Sequence, residues 1–319
     1  MDAFSDVLRV ARLKGGVFLQ ADFFEPWCMA ARLTPEHCAP SLDESSHLIP
    51  YHFVVEGKMS ARVVDEEETF QIGAGEVIMF PHNDVHLLGS DLDMAPATGE
   101  DIIQVAGDGG LSTIHHGGEG ASTRMVCGFL GCDMSMENPV ISSLPSVLRL
   151  DANSISASEW IRSTFQYAAA EVAAGQPGSG TVLAKLSELL FVEAIRHYAD
   201  TLPENRTGWL AGLRDPHVSR VLTLFHSDVS RSWTVEALGR EVGLSRSALA
   251  DRFTRIMSIT PMQYLTNWRM QIAGQQLLEN RVSMAHIANS IGYESEAAFS
   301  RAFKKATGQA PASWRRSHN

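Results

Sequence analysis

The spacing of apolar side chains divides the chain into stretches of different period. Residues 1–20 predict a short amphipathic helix, with Val7, Leu8, Val10 and Ala11 as its stripe, running into a strand at Val17-Phe18-Leu19. From about 22 to 150 the apolar runs shorten and are broken by Gly, Pro, Asn and Asp: HFVVEG (52–57), ARVV (61–64), TFQI (69–72), EVIMF (76–80), DIIQVA (101–106) and TRMVCGFL (123–130). Short strands between turn signals predict an all-β barrel or sandwich. Residues 109–120, with His115-His116-Gly117-Gly118, read as a polar Gly-rich loop between two strands. From 155 the period becomes helical. Residues 159–174 (EWIRSTFQYAAAEVAA) predict one helix, capped by Ser158, and GQPGSG (175–180) ends it. Thr181–Tyr198 predicts a second helix with a broad apolar face: Leu183, Leu186, Leu189, Leu190, Ile195 and Tyr198. That face suits burial under the barrel and pairing with a second subunit equally well. TLPENRTG (201–208) opens a polar linker, and everything after it is helical.

The helical remainder repeats itself. In 233–256 Thr234 caps a helix carrying Val235, Leu238 and Val242, Gly243 makes the turn, and Ser245 caps a second helix that buries Leu249 and Phe253. In 284–306 the template returns: Ile287, Ile291-Gly292-Tyr293, Ser295 as cap, then Phe299 and Phe303. A repeat of about 50 residues with matched cap, turn and core positions predicts two helix-turn-helix units, at about 234–256 and 284–306. Between them 261–278 (PMQYLTNWRMQIAGQQLL) predicts a linking helix with Pro261 in its first turn. A rigid linker of that kind holds two reading helices one turn of DNA apart, about 34 Å.

The expected architecture is therefore α+β and multidomain. Residues 1–150 form a β-barrel, 151–200 a helical pair, 201–213 a linker and 214–319 an all-α domain with two helix-turn-helix units. Charge sharpens the division. The chain of 319 residues carries a formal net charge of −11, which taken whole argues against a polyanionic partner. Yet residues 1–209 hold 12 Lys and Arg against 29 Asp and Glu, a net −17, while 210–319 hold 14 against 8, a net +6. The last third is the part fit to meet a phosphate backbone. No apolar run is long enough for a membrane span and no secretory signal pattern opens the chain. Four cysteines make no disulfide framework, so a reducing cytoplasm is the expected location.

The block 220–316 closely resembles the DNA-binding domain of AraC/XylS-type transcriptional regulators. The resemblance rests on LSRSALADRF, SITPMQYLTNWRM and IANSIGYESEAAFSRAFKKATGQAPASWRR. It implies that both recognition helices face double-stranded DNA, through Arg246, Ser247, Ala250 and Asp251 in the first and Glu296, Ala297, Ser300, Arg301 and Lys304 in the second. Arg301 and Lys304 suit phosphate as well as bases. Asp251 can accept from cytosine N4 or pair internally with a nearby Arg, and the internal pair is the favoured reading.

The segment IPYHFVVEGKMSARVVDEEETFQIGAGEVIMFPHNDVHLL resembles the cupin fold, in the form fused to AraC-type regulators. Gly75, Pro81 and His86 match the second cupin motif, with Asn83 where a Gly is usual. Strand alternation puts Pro50, His52 and Val54 on one face, and the resemblance turns that face and His86 inward. Cupin enzymes hold a metal through two His and a Glu of the first motif plus the second-motif His. Here Pro50 stands in place of the Glu, and Asp43 and Ser45 near the places of the His pair. His52, His86 and Cys127 are a substitute set suited to Zn or Cu, with direct contact to an organic effector and plain packing as the alternatives. The expected function is a sequence-specific transcriptional regulator, not an enzyme. Its barrel senses a small molecule, metal or oxidant, its helical pair makes a homodimer, and RNA polymerase is a further candidate partner. The competing readings are a metal-dependent cupin enzyme with a DNA-binding tail, and a redox sensor acting through Cys127 and a partner thiol.

Overall fold

A computed structural model describes residues 2–34, 47–104, 112–132, 138–151, 163, 167, 178–203, 205–278 and 282–317. The chain divides into two compact units. One holds Leu13–Cys132 with Leu144–Thr201; the other holds Met1–Arg12 and Asp133–Ser143 with Leu202–Asn319. The N-terminal helix, read from sequence as the lead-in to the barrel, thus packs with the C-terminal helices. The predicted helix at 158–174, Asp43, Ser45 and Cys38 lie outside the described residues, apart from helical Ser163 and Tyr167.

The β unit contains strands β1 (Lys14–Phe24), β2 (Cys28–Ala31), β3 (His47–Glu56), β4 (Lys58–Val63), β5 (Phe70–Gly73), β6 (Glu76–Met79), β7 (His86–Gly89), β8 (Ala97–Thr98), β9 (Ile103–Gln104), β10 (Ser112–Gly117), β11 (Ser122–Cys132) and β12 (Leu148–Asp151). They make two hydrogen-bonded sheets rather than one closed barrel: seven strands in the order β12-β6-β3-β11-β1-β10-β9, and five in the order β5-β4-β7-β2-β8. The core lies between them. Leu19, Phe23, Val54, Ile78 and Met125 come from the larger sheet, and Met29, Met59, Ala61, Ile72 and Leu88 from the smaller. Two predicted segments are corrected. His115 and His116 sit on β10, which pairs parallel with β1, and not in a loop. Of the strand expected over 101–106, residues 101 and 102 end a short helix α2 (Gly99–Ile102), 103 and 104 form β9, and 105 and 106 lie outside the described residues. Both errors have one cause: strand pairing is a long-range property, and Gly-rich or short segments carry no period of their own.

Helix α3 (Ser179–Thr201) covers the outer face of the larger sheet, against β1, β11 and β12. Leu183, Leu186, Leu190, Phe191, Ala194 and Ile195 are buried there. A Cβ at Gly15 would strike the Ala184 carbonyl, so glycine permits the close approach. The buried Tyr51 hydroxyl meets Ser187 Oγ at 2.5 Å. Much of the apolar face of α3 is accordingly accounted for by its own sheet.

The helical unit begins with α1 (Ala3–Ala11), capped by Asp2, whose carboxylate accepts from Ser5 N at 2.9 Å. It packs on α5 (Pro216–Ser227) and α8 (Pro261–Leu278). The rest is α4 (Trp209–Arg214), α6 (Val235–Val242), α7 (Arg246–Met257), α9 (Met284–Ser290), α10 (Glu296–Thr307) and α11 (Pro311–Ser317). Ser245 Oγ accepts from Ala248 N and Ser295 Oγ from Ala298 N, so both predicted caps form. Gly243 ends α6 in the left-handed region at φ 73°. Along α8, Tyr264, Leu265 and Trp268 are buried in its first half; Met270, Ala273 and Leu277 join Ile287, Ile291, Phe299, Phe303 and Trp314 in a second core.

Candidate functional site

The reading face is built by the repeat. Burial of Leu249 and Phe253 on one side of α7 turns Arg246, Ser247 and Asp251 outward, where they are exposed, with Ala250 half-buried. On α10, burial of Phe299 and Phe303 likewise exposes Glu296, Ala297, Arg301 and Lys304, with Ser300 half-buried. Asp251 makes no ion pair among the described residues, contrary to the favoured sequence reading. The internal pair is its neighbour's: Arg252 binds Asp215 at 2.6 Å. Asp215 also caps α5, accepting from His217 N and Val218 N. Burial works to raise its carboxyl, but hydrogen bonds from Arg252 and the two backbone N–H groups hold it below the ordinary range. One carboxylate therefore starts α5 and anchors the first recognition helix to it. Sequence reasoning missed Asp215, although Asp directly before Pro216 is a legible cap signal.

A second buried relay ties α1 into the same unit. Trp209 Nε1 donates to Tyr264 Oη at 2.8 Å, Tyr264 Oη meets His226 Nε2 at 2.8 Å, and His226 Nδ1 meets Asp6 at 2.9 Å. The assignment that satisfies every partner has the Tyr264 hydroxyl donating to Nε2 and Nδ1–H donating to Asp6, with the imidazole neutral. Burial lowers the His226 pKa despite the Asp6 carboxylate.

In the β unit His52, His86 and Cys127 do come together. His86 Nδ1 lies 2.8 Å from the Asp84 carbonyl and so carries its proton there. Its Nε2 is then an acceptor, 3.0 Å from His52 Nε2, which donates. His52 Nδ1 in turn accepts from the Cys127 thiol at 3.0 Å. Every polar atom of the three side chains is used within one chain of hydrogen bonds. Burial keeps each neutral: it holds His52 far below its ordinary value with help from His86, pulls His86 down to about 4, and pushes the Cys127 thiol up.

That geometry does not suit a zinc or copper ion bound by all three. His52 aims one ring nitrogen at Cys127 and the other at His86, so the donors do not converge on a point. Among the described residues no group of three or more His, Cys, Asp or Glu is arranged to hold a metal. Nor does the site favour thiolate chemistry, since Cys28, Cys127 and Cys132 are all buried and burial raises the Cys28 thiol as well.

The chain of hydrogen bonds forms one wall of a cavity of about 310 Å³. Leu19, Met29, Ala31, Leu33, Pro50 and Ile103 supply apolar lining, and Arg32, which is exposed, is the charged residue among those that line it. Pro50 at the place of a metal-binding Glu thus contributes apolar surface. Asn83, at the place of the usual Gly, takes the left-handed conformation at φ 57° that Asn tolerates. Its amide also accepts from Leu33 N at 3.1 Å and donates to Leu33 O at 2.9 Å, pinning the chain that leads out of β2.

A cupin family model matches residues 2–200 and a helix-turn-helix domain model matches 238–317. A putative AraC-like transcription regulator of Streptomyces antibioticus is 30% identical over 276 residues, covering 86% of this chain and 88% of the relative. The chain belongs to the AraC-like transcription regulators. The HTH-type transcriptional regulator AlkR of Acinetobacter baylyi is 35% identical over 184 residues, 57% of this regulator and 60% of AlkR. Among solved structures, the C-terminal domain of AraT from Geobacillus stearothermophilus is 30% identical, with a TM-score of 0.32, over 32% of this chain and 86% of that one. As a member of this family, the regulator binds DNA through its C-terminal helix-turn-helix domain. No described helix is long and apolar enough to cross a membrane.

Proposed function

We propose that this regulator reads DNA through α7 and α10 and responds to a neutral, largely apolar small molecule held between its two sheets. The observation that carries the effector class is the hydrogen-bond chain on the cavity wall. Its side chains are neutral and spend their donors and acceptors on one another, so the wall presents no unpaired charge to a ligand. A charged group set against that wall would surrender its hydration without compensation, and Arg32, the charged residue of the lining, is exposed to water. Base and phosphate contacts fall to Arg246, Ser247, Ala250 and Asp251 on the first recognition helix and Glu296, Ala297, Ser300, Arg301 and Lys304 on the second. Their outward position supports this assignment. A homodimer is part of the proposal, supported by exposed Tyr167 and Val182 in the 151–200 segment.

Thermal shift of the full chain tests the effector class, with naphthalene and 1-decanol as neutral probes and decanoate, decylamine and zinc as charged ones. Naphthalene or 1-decanol should raise the melting temperature, and Ala31→Phe, which fills the cavity, should abolish the rise. Stabilisation by the charged probes alone would overturn it.

A further inference from the structure

The two helix-turn-helix units have separate hydrophobic cores and share α8. Among the described residues no helix of the first unit packs broadly on a helix of the second. Away from α8 they meet where the loop after α5 touches the turn between α9 and α10, and one side chain of α8 holds that meeting together. Arg269 Nε donates to the Val229 carbonyl at 2.9 Å, and a terminal nitrogen donates to the Arg231 carbonyl at 3.0 Å. Its guanidinium also lies 5.9 Å from the centre of the Tyr293 ring, within cation–π range. Gly292, at φ 80°, sits so close that a Cβ would strike both the Ser230 carbonyl and the Arg269 guanidinium. Arg269 therefore holds a loop of the first unit with two hydrogen bonds and lies against a turn of the second, in cation–π range of Tyr293.

The loop being gripped is itself stiff. Asp228 Oδ1 accepts from Ser230 Oγ and Arg231 N, each at 3.0 Å, and the Asp228 carbonyl accepts from Trp233 Nε1 at 3.0 Å. The Arg231 guanidinium stacks 4.0 Å from the Trp233 ring. A brace on a floppy loop would transmit nothing; this one is pinned at both ends. The turn on the other side leads directly into the Ser295 cap of α10, and the loop leads through Trp233 into the Thr234 cap of α6.

We propose that Arg269 is a positioning residue that fixes the separation of α7 and α10, and with it the spacing between the two DNA elements the chain reads. Lysine cannot replace it: the brace needs two donors held in one rigid plane to reach the Val229 and Arg231 carbonyls together, and an ammonium offers a point charge on a flexible stem. With its donors turned to Val229 and Arg231, the side chain acts on DNA through the two recognition helices and not by touching phosphate.

The proposal rests on the DNA-reading function, and one experiment separates the two. Full-chain protein is put through selection from a random double-stranded DNA library, and the enriched sites are sequenced. Failure of the wild type to enrich any sequence would overturn the DNA-reading function itself. Wild type should enrich two elements at a single spacing. Arg269→Gln and Arg269→Lys should enrich the same two elements with spacings spread over one or two further base pairs, at about tenfold lower affinity for the wild-type site. Binding to a single element, and the salt slope of that binding, should be unchanged, whereas loss of a phosphate contact would lower the slope by about one. A folded Arg269→Gln protein that keeps a single spacing and wild-type affinity refutes the brace. So does an equal loss on single-element and two-element DNA. Should Arg269→Gln fail to fold, Tyr293→Leu, which removes the ring beside the guanidinium alone, goes through the same selection and must broaden the spacing.

Discussion

Cys127, His52 and His86 look in the sequence like three unrelated residues, and their chemistry comes from being strung together. A neutral imidazole pair buried away from water is a stability statement about pH. An unfolded histidine binds its proton near pH 6.5, whereas folded His86 resists protonation until about 4. The unfolded state thus takes up more protons between those values. Stability of the β unit should be full above about pH 6.5 and fall as pH drops toward 4, by on the order of 3 kcal/mol from His86 alone. Urea unfolding across that range measures it, and His86→Gln should flatten the curve; an equally steep curve in the variant would sink the idea. The Asp6–His226 contact gives a second residue-scale prediction. Asp6→Ala leaves the buried Nδ1–H of His226 without an acceptor, at a cost of about 1–3 kcal/mol. The melting of the helical unit should report it, while Arg9→Ala, which removes only the exposed partner of Asp6, should change little.

At the scale of elements, the helix-turn-helix units were the most legible part of the chain because their signals are local. A serine cap bonds three residues ahead, and a buried pair recurs one turn later. Ser245→Ala and Ser295→Ala should each destabilise the helical unit by about 1 kcal/mol. Together they should add, because the caps serve helices with separate cores. Denaturant midpoints of the two single variants and the double variant check this; a double variant no less stable than either single one would show that the cores are coupled. Strand β10 was illegible for the opposite reason. It is held by β1, distant in sequence, and its His-His-Gly content carries no alternation. Helix α3 was legible as a helix but not in its partner, since an apolar stripe says only that something covers it.

For the whole molecule, the charge split is a property of composition that acts through space. The exposed acidic turn Asp65–Glu68 belongs to the part of the chain with a net −17. Neutralising it with Asp65→Asn, Glu66→Gln, Glu67→Gln and Glu68→Gln together should strengthen non-sequence-specific DNA binding several-fold at about 50 mM salt. The effect should vanish at about 0.3 M salt, where screening is short-ranged. Unchanged binding to random DNA at low salt would show that the acidic part exerts no such repulsion.

What the sequence determined by itself was everything written within a turn of helix or the alternation of a strand: the repeated caps, the buried Leu249, Phe253, Phe299 and Phe303, the face shared by Pro50, His52 and Val54, and the basic last third. Only the tertiary structure decided which side chains finish one another's hydrogen bonds. His52 finds His86 across 34 residues and Cys127 across 75, and His226 finds Asp6 across 220. The internal ion pair went to Arg252 and Asp215 and not to Asp251, and Arg269 joined two units that sequence could only count. Such pairings depend on how distant segments are brought together in the fold, and a linear pattern carries no record of that.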